Sequence, residues 1–389
     1  MAAMENRWLM LAVLFLARTT MALQFQTVAS TGPFLRDALA IDFTALGTLI
    51  GLYMLPGVLI ALPGGLLGQR FGSKRVLLAG LALMAVGGVL MTFAGSFGMA
   101  VVARIVSGTG AVLMSVLIAR MVTDWFVGRE IVTAMAIVIS SWPFGLAIGL
   151  VLFGPLAAAA GWPVVMDFAA LAAALALLLV AVFYRDPSGM PAASAGLTLD
   201  LSRREWLLMI IAGVCWGVFN AAYIVLISFA PELFIARGYS VTDASGIVSL
   251  IGWFLIPSIP LAGALVEKFG RPSLVMFGSF LIVVAALVAL PYAPQILIPF
   301  AVLVLVIGIP GGPLMALPAQ ALRPESRASG MGIFFTTFYV MMAVLPGTAG
   351  LVRDLSGSVA APALFAAALV LLCAVGLLLF HAARRLPEQ

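Results

Sequence analysis

Twelve apolar runs, each about as long as a helix that crosses a bilayer, dominate this chain and leave little choice of fold. They fall at about 8–31, 44–67, 76–95, 99–121, 131–155, 162–184, 206–230, 244–266, 273–292, 295–320, 328–351 and 360–382, divided by charges or by Gly and Pro. A hydrocarbon core about 30 Å thick takes roughly 20 apolar residues of helix. Within it every backbone N–H and C=O must be paired inside its own segment, so the runs are read as helices. Composition agrees, with 64% of 389 residues apolar and 9% charged, against about 45–50% and about 25% in soluble domains. Prolines inside the runs (Pro56, Pro63, Pro143, Pro257, Pro260, Pro310, Pro313 and Pro346) predict kinks or close helix contacts rather than loops. The expected class is an all-α membrane protein of twelve transmembrane helices.

The N-terminus has some features of a signal peptide, with Arg7 followed by an apolar stretch from Trp8 to Ala17. Apolar character resumes after Arg18 and runs to about Thr31, so the segment is read as a retained first span. Cys215 and Cys373 both lie within apolar runs, which excludes a disulfide framework or a four-cysteine zinc site. His381 ends the last run and reads as a polar anchor at the membrane border. No metal or cofactor is expected. A formal charge of +5 does not point to nucleic acid, because the basic residues sit at the ends of apolar runs instead of along one stripe.

Those basic residues set the topology. With the N-terminus inside, fifteen Lys and Arg fall on inner loops and ends, and the outer loops carry only Arg36, Arg237 and Arg353. Both termini are therefore expected in the cytoplasm of a cell (inner or plasma) membrane protein. The one long hydrophilic stretch, 185–205, contains Asp186-Pro187-Ser188-Gly189 and reads as a cytoplasmic linker. The expected division is a six-helix bundle over 1–184, this linker, and a second six-helix bundle over 206–389.

The halves repeat. Gly65-Leu-Leu-Gly-Gln-Arg-Phe-Gly72 recurs as Gly263-Ala-Leu-Val-Glu-Lys-Phe-Gly270, and the step from residue 65 to 263, which is 198, also carries Arg129 onto Arg327. Two separate segments giving one offset argue for a duplicated half. The loop Gly65-x-x-x-Gln69-Arg70-x-Gly72-x-Lys74-Arg75 resembles the signature between helices two and three of the major facilitator superfamily. Arg104-x-x-x-Gly108-x-Gly110 is similar to that superfamily's second motif, and Gly145-x-x-x-Gly149 with Gly154-Pro155 loosely resembles its third. The resemblance covers nearly the whole chain and implies two pseudo-symmetric six-helix bundles rocking about a central site. It assigns a gating role to Gly65, Gln69, Arg70, Gly72 and Arg75 and to Glu267, Lys268 and Gly270 of the second half. Gln69 stands where the family usually has an acid, so a charge latch there is expected to be weaker. No Gly-Lys-Ser/Thr phosphate loop is present, so ATP hydrolysis is not the expected energy source.

Ionisable residues inside spans are the first candidates for a site, because burying them is costly. Arg18 lies near the middle of span one, too deep to reach either border easily. Two readings stay open for it, a contact with a substrate anion and a structural contact with carbonyls or a partner acid. Arg18, Ala22 and Phe25 share a stripe with Gln26 at its edge, and the repeat offset carries the three onto Trp216, Asn220 and Tyr223 of span seven. The resemblance implies that helices one and seven face a common cavity. It also implies that Arg104 supports packing or forms a second anion-binding arginine, as in some organic-anion branches. Asp167, near the outer end of span six, is a coupling candidate or a solvated cap. Tyr53, Trp142 and Tyr339, with Trp253 and Phe335, are further lining candidates that would serve equally as packing.

The expected function is secondary or facilitative transport of a small solute, an organic or inorganic anion, by a monomer using alternating access. The alternatives are efflux of amphipathic drugs or transport of neutral solutes or peptides on the same fold, and a non-transporting membrane receptor. No constellation for an enzyme lies within the spans. The topology is checked by reporter fusions: green fluorescent protein inserted at 195 should fluoresce and alkaline phosphatase there should be silent, with the opposite pattern after Arg237.

Overall fold

The computed structural model describes residues 2–61, 63–126, 130–186, 201–323 and 325–385. In chain order its helices are α1 (Ala2–Ser30), α2 (Gly32–Leu39), α3 (Phe43–Leu52), α4 (Gly57–Ile60), α5 (Gly64–Phe71), α6 (Ser73–Thr92), α7 (Phe97–Phe126), α8 (Ile131–Ala160) and α9 (Trp162–Phe183). The second half continues with α10 (Arg203–Ile235), α11 (Val241–Phe269), α12 (Pro272–Ala289), α13 (Leu297–Val306), α14 (Gly311–Met315), α15 (Arg327–Ser356) and α16 (Ala361–Ala383). Ten stretches among the described residues are long and apolar enough to cross a membrane, and Ser273–Ala289 and Leu297–Val306 are shorter apolar helices. Together they account for the twelve expected spans.

The prolines act in two ways. Pro143 and Pro346 lie inside continuous helices, as expected, and so do Pro155 and Pro231. Spans two and ten depart from the expectation, because they are cut into pieces. Residues 53–56 and 307–310 are turns, and Pro56, Pro63 and Pro310 precede new short helices. Each such proline removes one N–H from the helical ladder, and the flanking glycines (Gly57, Gly64, Gly311 and Gly312) add little to hold the helix together.

The helices form two units, residues 1–41 with 52–195, and residues 42–51 with 196–389. In the first, α1 packs on α8 and α9, and α6 on α7 and α9; in the second, α10 packs on α15 and α16, and α12 on α13 and α16. These pairs correspond one for one under the repeat. The loop motif repeats in backbone geometry as well, since Gly72 (φ 87°) and Gly270 (φ 60°), one offset apart, are both left-handed. Nothing lies within 4 Å of a Cβ added at either position, so the backbone conformation, not space, selects glycine there. Around the motif, Lys74 Nζ donates to the carbonyls of Ala181 (2.9 Å) and Tyr184 (2.6 Å), closing the C-terminal end of α9. Arg70 lies over the Phe71 ring, and Arg75 and Lys268 are exposed. The side chains of Gln69 and Glu267, and the surroundings of Gly65, lie outside the described residues, as does most of the 185–205 linker.

The outward faces are apolar. On α9, Leu171, Leu175, Leu178 and Val182 are all about half or more exposed at spacings of three and four. That stripe is the face a lipid-contacting helix presents.

Each unit also begins with an ion pair, and the repeat carries a basic residue onto an acidic one. Arg7 pairs with Glu130 at 2.9 Å; one offset on, Glu205 pairs with Arg323 at 3.0 Å, although the offset carries Glu130 onto Ala328. Glu205 is the more deeply set. It completes a capping box with Ser202 at the start of α10, and its carboxylate accepts from the Arg323 backbone (3.1 Å), Arg323 Nε (3.2 Å) and Ser326 Oγ (2.5 Å). Five donors on one nearly buried carboxylate make it the stronger fastening. Glu205→Ala should therefore lower unfolding stability by about 2–3 kcal/mol, and Arg7→Ala by about 1 kcal/mol or less because Glu130 is half exposed. Thermal unfolding of the detergent-purified variants side by side measures the difference.

Candidate functional site

In the first unit the candidate residues converge on α1. Small residues bring α8 close: a Cβ added at Gly145 would lie 2.7 Å from that of Ala22, and one at Gly149 would lie 3.0 Å from that of Gln26. The face of α1 carrying Arg18, Ala22 and Gln26, spaced four apart, therefore lies along α8. Arg18 is half-buried, and its guanidinium donates to the Val138 carbonyl on α8 at 2.8 Å. That carbonyl also accepts from Ser141 Oγ at 2.5 Å, one turn before the α8 proline Pro143. Gln26 is fully buried; its Nε2 donates to Ser30 Oγ at 3.0 Å, and its Oε1 has no protein partner among the described residues. Phe25 bridges Tyr53 and Trp142, with ring centroids 5.7 and 5.4 Å away.

Arg104 takes a different place. It is 2% exposed, and it donates to the carbonyls of Gln24 (3.0 Å) and Phe25 (3.4 Å) while its guanidinium lies 4.4 Å from the Tyr53 ring centre. Tyr53 in turn donates toward the Met21 carbonyl (3.2 Å) and Gln24 Oε1 (3.3 Å), and Gln24 Nε2 donates to the Met84 carbonyl at 2.8 Å. Gly108, four residues after Arg104, admits the Tyr53 backbone so closely that an added Cβ would sit 2.2 Å from its carbonyl oxygen. The Arg-x-x-x-Gly motif thus works as a fastener: the arginine grips α1 and the glycine seats span two. Beside it is a cavity of about 10 Å³ bordered by Gln24, Thr27, Arg104 and Ser107, which suits a single water. Asp167 lies apart, exposed on α9, and accepts from Thr92 Oγ1 of α6 at 2.7 Å.

In the second unit α10 repeats the arrangement against α15. A Cβ at Gly217 would lie 2.5 Å from that of Met341, and one at Gly213 would lie 2.7 Å from the Phe334 carbonyl. Trp216 faces Phe338 at 6.3 Å between centroids, and Phe338 stacks edge-on with Tyr339 at 5.1 Å. Phe335 joins the same ring cluster, 5.1 Å from Phe334, while Trp253 on α11 is 37% exposed. Asn220 Nδ2 donates to the Trp216 carbonyl one turn back at 2.8 Å. Tyr223 is 5% exposed, and its hydroxyl has no protein partner among the described residues. A buried polar atom left in that state costs about 1–3 kcal/mol.

Several polar residues escaped the sequence reading. Gln24 was passed over because it is uncharged; its signal was a glutamine inside an apolar run. Glu205 was assigned to the linker, although Ser202-x-x-Glu205 is a capping-box pattern. Glu232, which pairs with Arg353 at 2.7 Å, and Asp354 lay beyond the expected span borders.

The Major Facilitator Superfamily model matches residues 14–346. Among similar curated proteins is a major facilitator superfamily multidrug transporter of Aspergillus fumigatus, 28% identical over 49% of this chain and 41% of its own length. A hexuronate transporter of Bacillus subtilis is 26% identical over 39% of this chain and 36% of its own. A 3-(3-hydroxy-phenyl)propionate transporter of Escherichia coli is 24% identical over 72% and 70%. The alignments thus span about two fifths of the first two relatives. A crystal structure of a D-xylose-proton symporter superposes with a TM-score of 0.77 at 17% identity, over 97% of each chain, which shows the fold.

The geometry separates the two buried arginines experimentally. Arg104→Leu should lower unfolding stability by about 2–4 kcal/mol, through two lost charge-assisted hydrogen bonds and the lost ring contact. Tyr53→Phe should cost about 1 kcal/mol. Arg18→Gln, whose amide can still reach a carbonyl, should change stability by less than about 1 kcal/mol. Differential scanning fluorimetry of the three purified variants ranks them.

Proposed function

Because this chain belongs to the major facilitator superfamily, we propose that it is a multi-pass secondary carrier that moves a small carboxylate across the cell membrane by alternating access. It would act as a monomer with both termini in the cytoplasm. The observation that carries the substrate class is Arg18, a permanent cation held half-buried in the middle of an apolar span. A charge at a helix centre costs roughly 2.5–3.5 kcal/mol on insertion scales. The Val138 carbonyl presents a dipole to it, where a carboxylate would present a full charge and two acceptor oxygens. On the same face of α1, Gln26 would add a hydrogen bond. Arg104 and Tyr53 hold α1 in place behind them. Two of the relatives carry carboxylates in the names of their substrates, a hexuronate and a phenylpropionate, which supports the same class. Uniport and anion exchange suit this residue set; proton coupling would call on Asp167.

A second reading, efflux of amphipathic compounds, draws on the ring cluster Trp216, Phe335, Phe338 and Tyr339 and on the multidrug relative. Aromatic faces of that kind hold apolar cations and neutral drugs.

A thermal-shift panel decides between them. Purified wild type and Arg18→Gln are heated with glucuronate, 3-phenylpropionate, phosphate, xylose and tetraphenylphosphonium. A ligand at about 100 times its Kd stabilises the native state by roughly 2.7 kcal/mol. Stabilisation by the carboxylates in wild type and its loss in Arg18→Gln is the expected result. Stabilisation by tetraphenylphosphonium in both proteins, with none by carboxylates, replaces the first reading by the second.

A further inference from the structure

The chain has two cysteines, 158 positions apart in sequence, and the fold of the second unit brings them together. Cys215 lies well inside α10 and Cys373 well inside α16, and both are free and fully buried. Each thiol is turned toward the other residue. Cys215 Sγ donates toward the Cys373 carbonyl (3.8 Å), and Cys373 Sγ toward the Cys215 carbonyl (3.4 Å). The two thiols also lie within hydrogen-bonding reach of each other. Gly376, one turn further along α16, makes room for the first of them, since an added Cβ there would stand 2.6 Å from Cys215 Sγ.

Packing alone does not select this pair. A buried residue touches about 6–12 others, so a second cysteine placed at random would meet the first about one time in thirty to sixty. A free cysteine in an apolar interior behaves as a small hydrophobe with a weak S–H donor. Alanine fills that role along the same two helices, at Ala212, Ala221, Ala366 and Ala367. What two adjoining thiols do that two alanines do not is ligate soft metals.

The donor set decides which metal. Structural zinc takes four ligands in a tetrahedron, and among the described residues no group of three or more His, Cys, Asp or Glu could hold a metal ion. Calcium and magnesium call for a shell of oxygens. Two thiolates suffice only for a soft ion that binds two ligands in line. Charge narrows the choice, because a net charge deep in an apolar span is costly. Two thiolates cancel a divalent ion, whereas with copper(I) or silver(I) they leave a negative charge. Among soft ions of linear preference the divalent one is mercury(II). At roughly 2.3 Å per metal–sulfur bond, a linear S–M–S unit spans about 4.6 Å, a little beyond the contact distance of two thiols. A disulfide would need the sulfurs to close to about 2.05 Å.

We propose that Cys215 and Cys373 form a two-coordinate thiolate site for mercury(II), which ties α10 to α16 within the second unit. Mercury(II) chloride is an uncharged molecule that dissolves in lipid, so the bilayer itself leads to the site. Two S–H and two Hg–Cl bonds break, two Hg–S bonds form, and two protons leave with the two chlorides; nothing is oxidised or reduced. The site is independent of what the carrier transports.

The test uses the full-length protein in detergent, loaded with one equivalent of mercury(II) chloride and then washed with excess glutathione. A metal on one protein thiol passes to such a monothiol, whereas one held by two preset thiols keeps the advantage of an intramolecular second bond. Intact mass spectrometry should find one mercury in place of two protons on each wild-type chain, retained through the wash. Cys215→Ala and Cys373→Ala should each reduce the retained mercury at least about tenfold. Cys215→Ser, whose hydroxyl keeps a donor toward the Cys373 carbonyl, should behave alike and serves in place of Cys215→Ala if that variant does not fold. Mercury washed out of wild type, two mercury atoms per chain, or equal retention by the single variants overturns the site. A chain two protons lighter and without mercury overturns it as well, in favour of a disulfide.

Discussion

A backbone amide in hydrocarbon has no water to fall back on, and the rest of this structure follows from how the chain meets that demand. Helices satisfy it by themselves, which is why ten long and two shorter apolar helices dominate the described residues. Wherever the ladder is interrupted or a helix ends near the membrane, a side chain takes over. Lys74 receives the last carbonyls of α9, Glu205 and Ser202 take the first donors of α10, and Asp354 takes those of α3.

The same demand explains why so much of the fold was legible. Span number, helical class and the duplicated half follow from where apolar residues stop and charges begin, and the matching helix pairs in the two units bear out the 198-residue offset. The left-handed Gly72 and Gly270 show the same duplication at the level of a single dihedral. What was illegible is local and asymmetric. Pro143 and Pro346 lie inside continuous helices, whereas Pro56 and Pro310 stand where a span is cut, and the residue type is the same in all four. The outcome depends on whether a neighbouring helix re-satisfies the freed carbonyl, which no single segment encodes.

Site residues were legible to the extent that they were expensive. Arg18 and Arg104 were singled out because a buried guanidinium requires a partner. Gln26 and Tyr223 were reached only through the α1 stripe and its repeat, and Gln24 not at all; the difference between the satisfied Gln24 and the unsatisfied Gln26 and Tyr223 exists only after packing. The two ion pairs Arg7–Glu130 and Glu205–Arg323 are a case in between. The offset relates positions 7 and 205, which carry opposite charges, but it carries Glu130 onto Ala328, five residues past Arg323. Each of the two helices is fastened near its start by an ion pair, with partners that the repeat does not relate.

The two arginines show how one chemical requirement separates into structure and function. Both solve the problem of a charge in an apolar span with carbonyl oxygens. Arg104 grips two of them on α1 and lies against Tyr53, almost fully buried. Arg18 donates to the Val138 carbonyl of α8 and stays half-buried. A carbonyl held by a deeply buried guanidinium is a rivet. The proposed function requires the contact of Arg18 to be exchangeable, since a carboxylate would give that cation more than a peptide dipole can. On α1 the two contacts lie within two helical turns of each other.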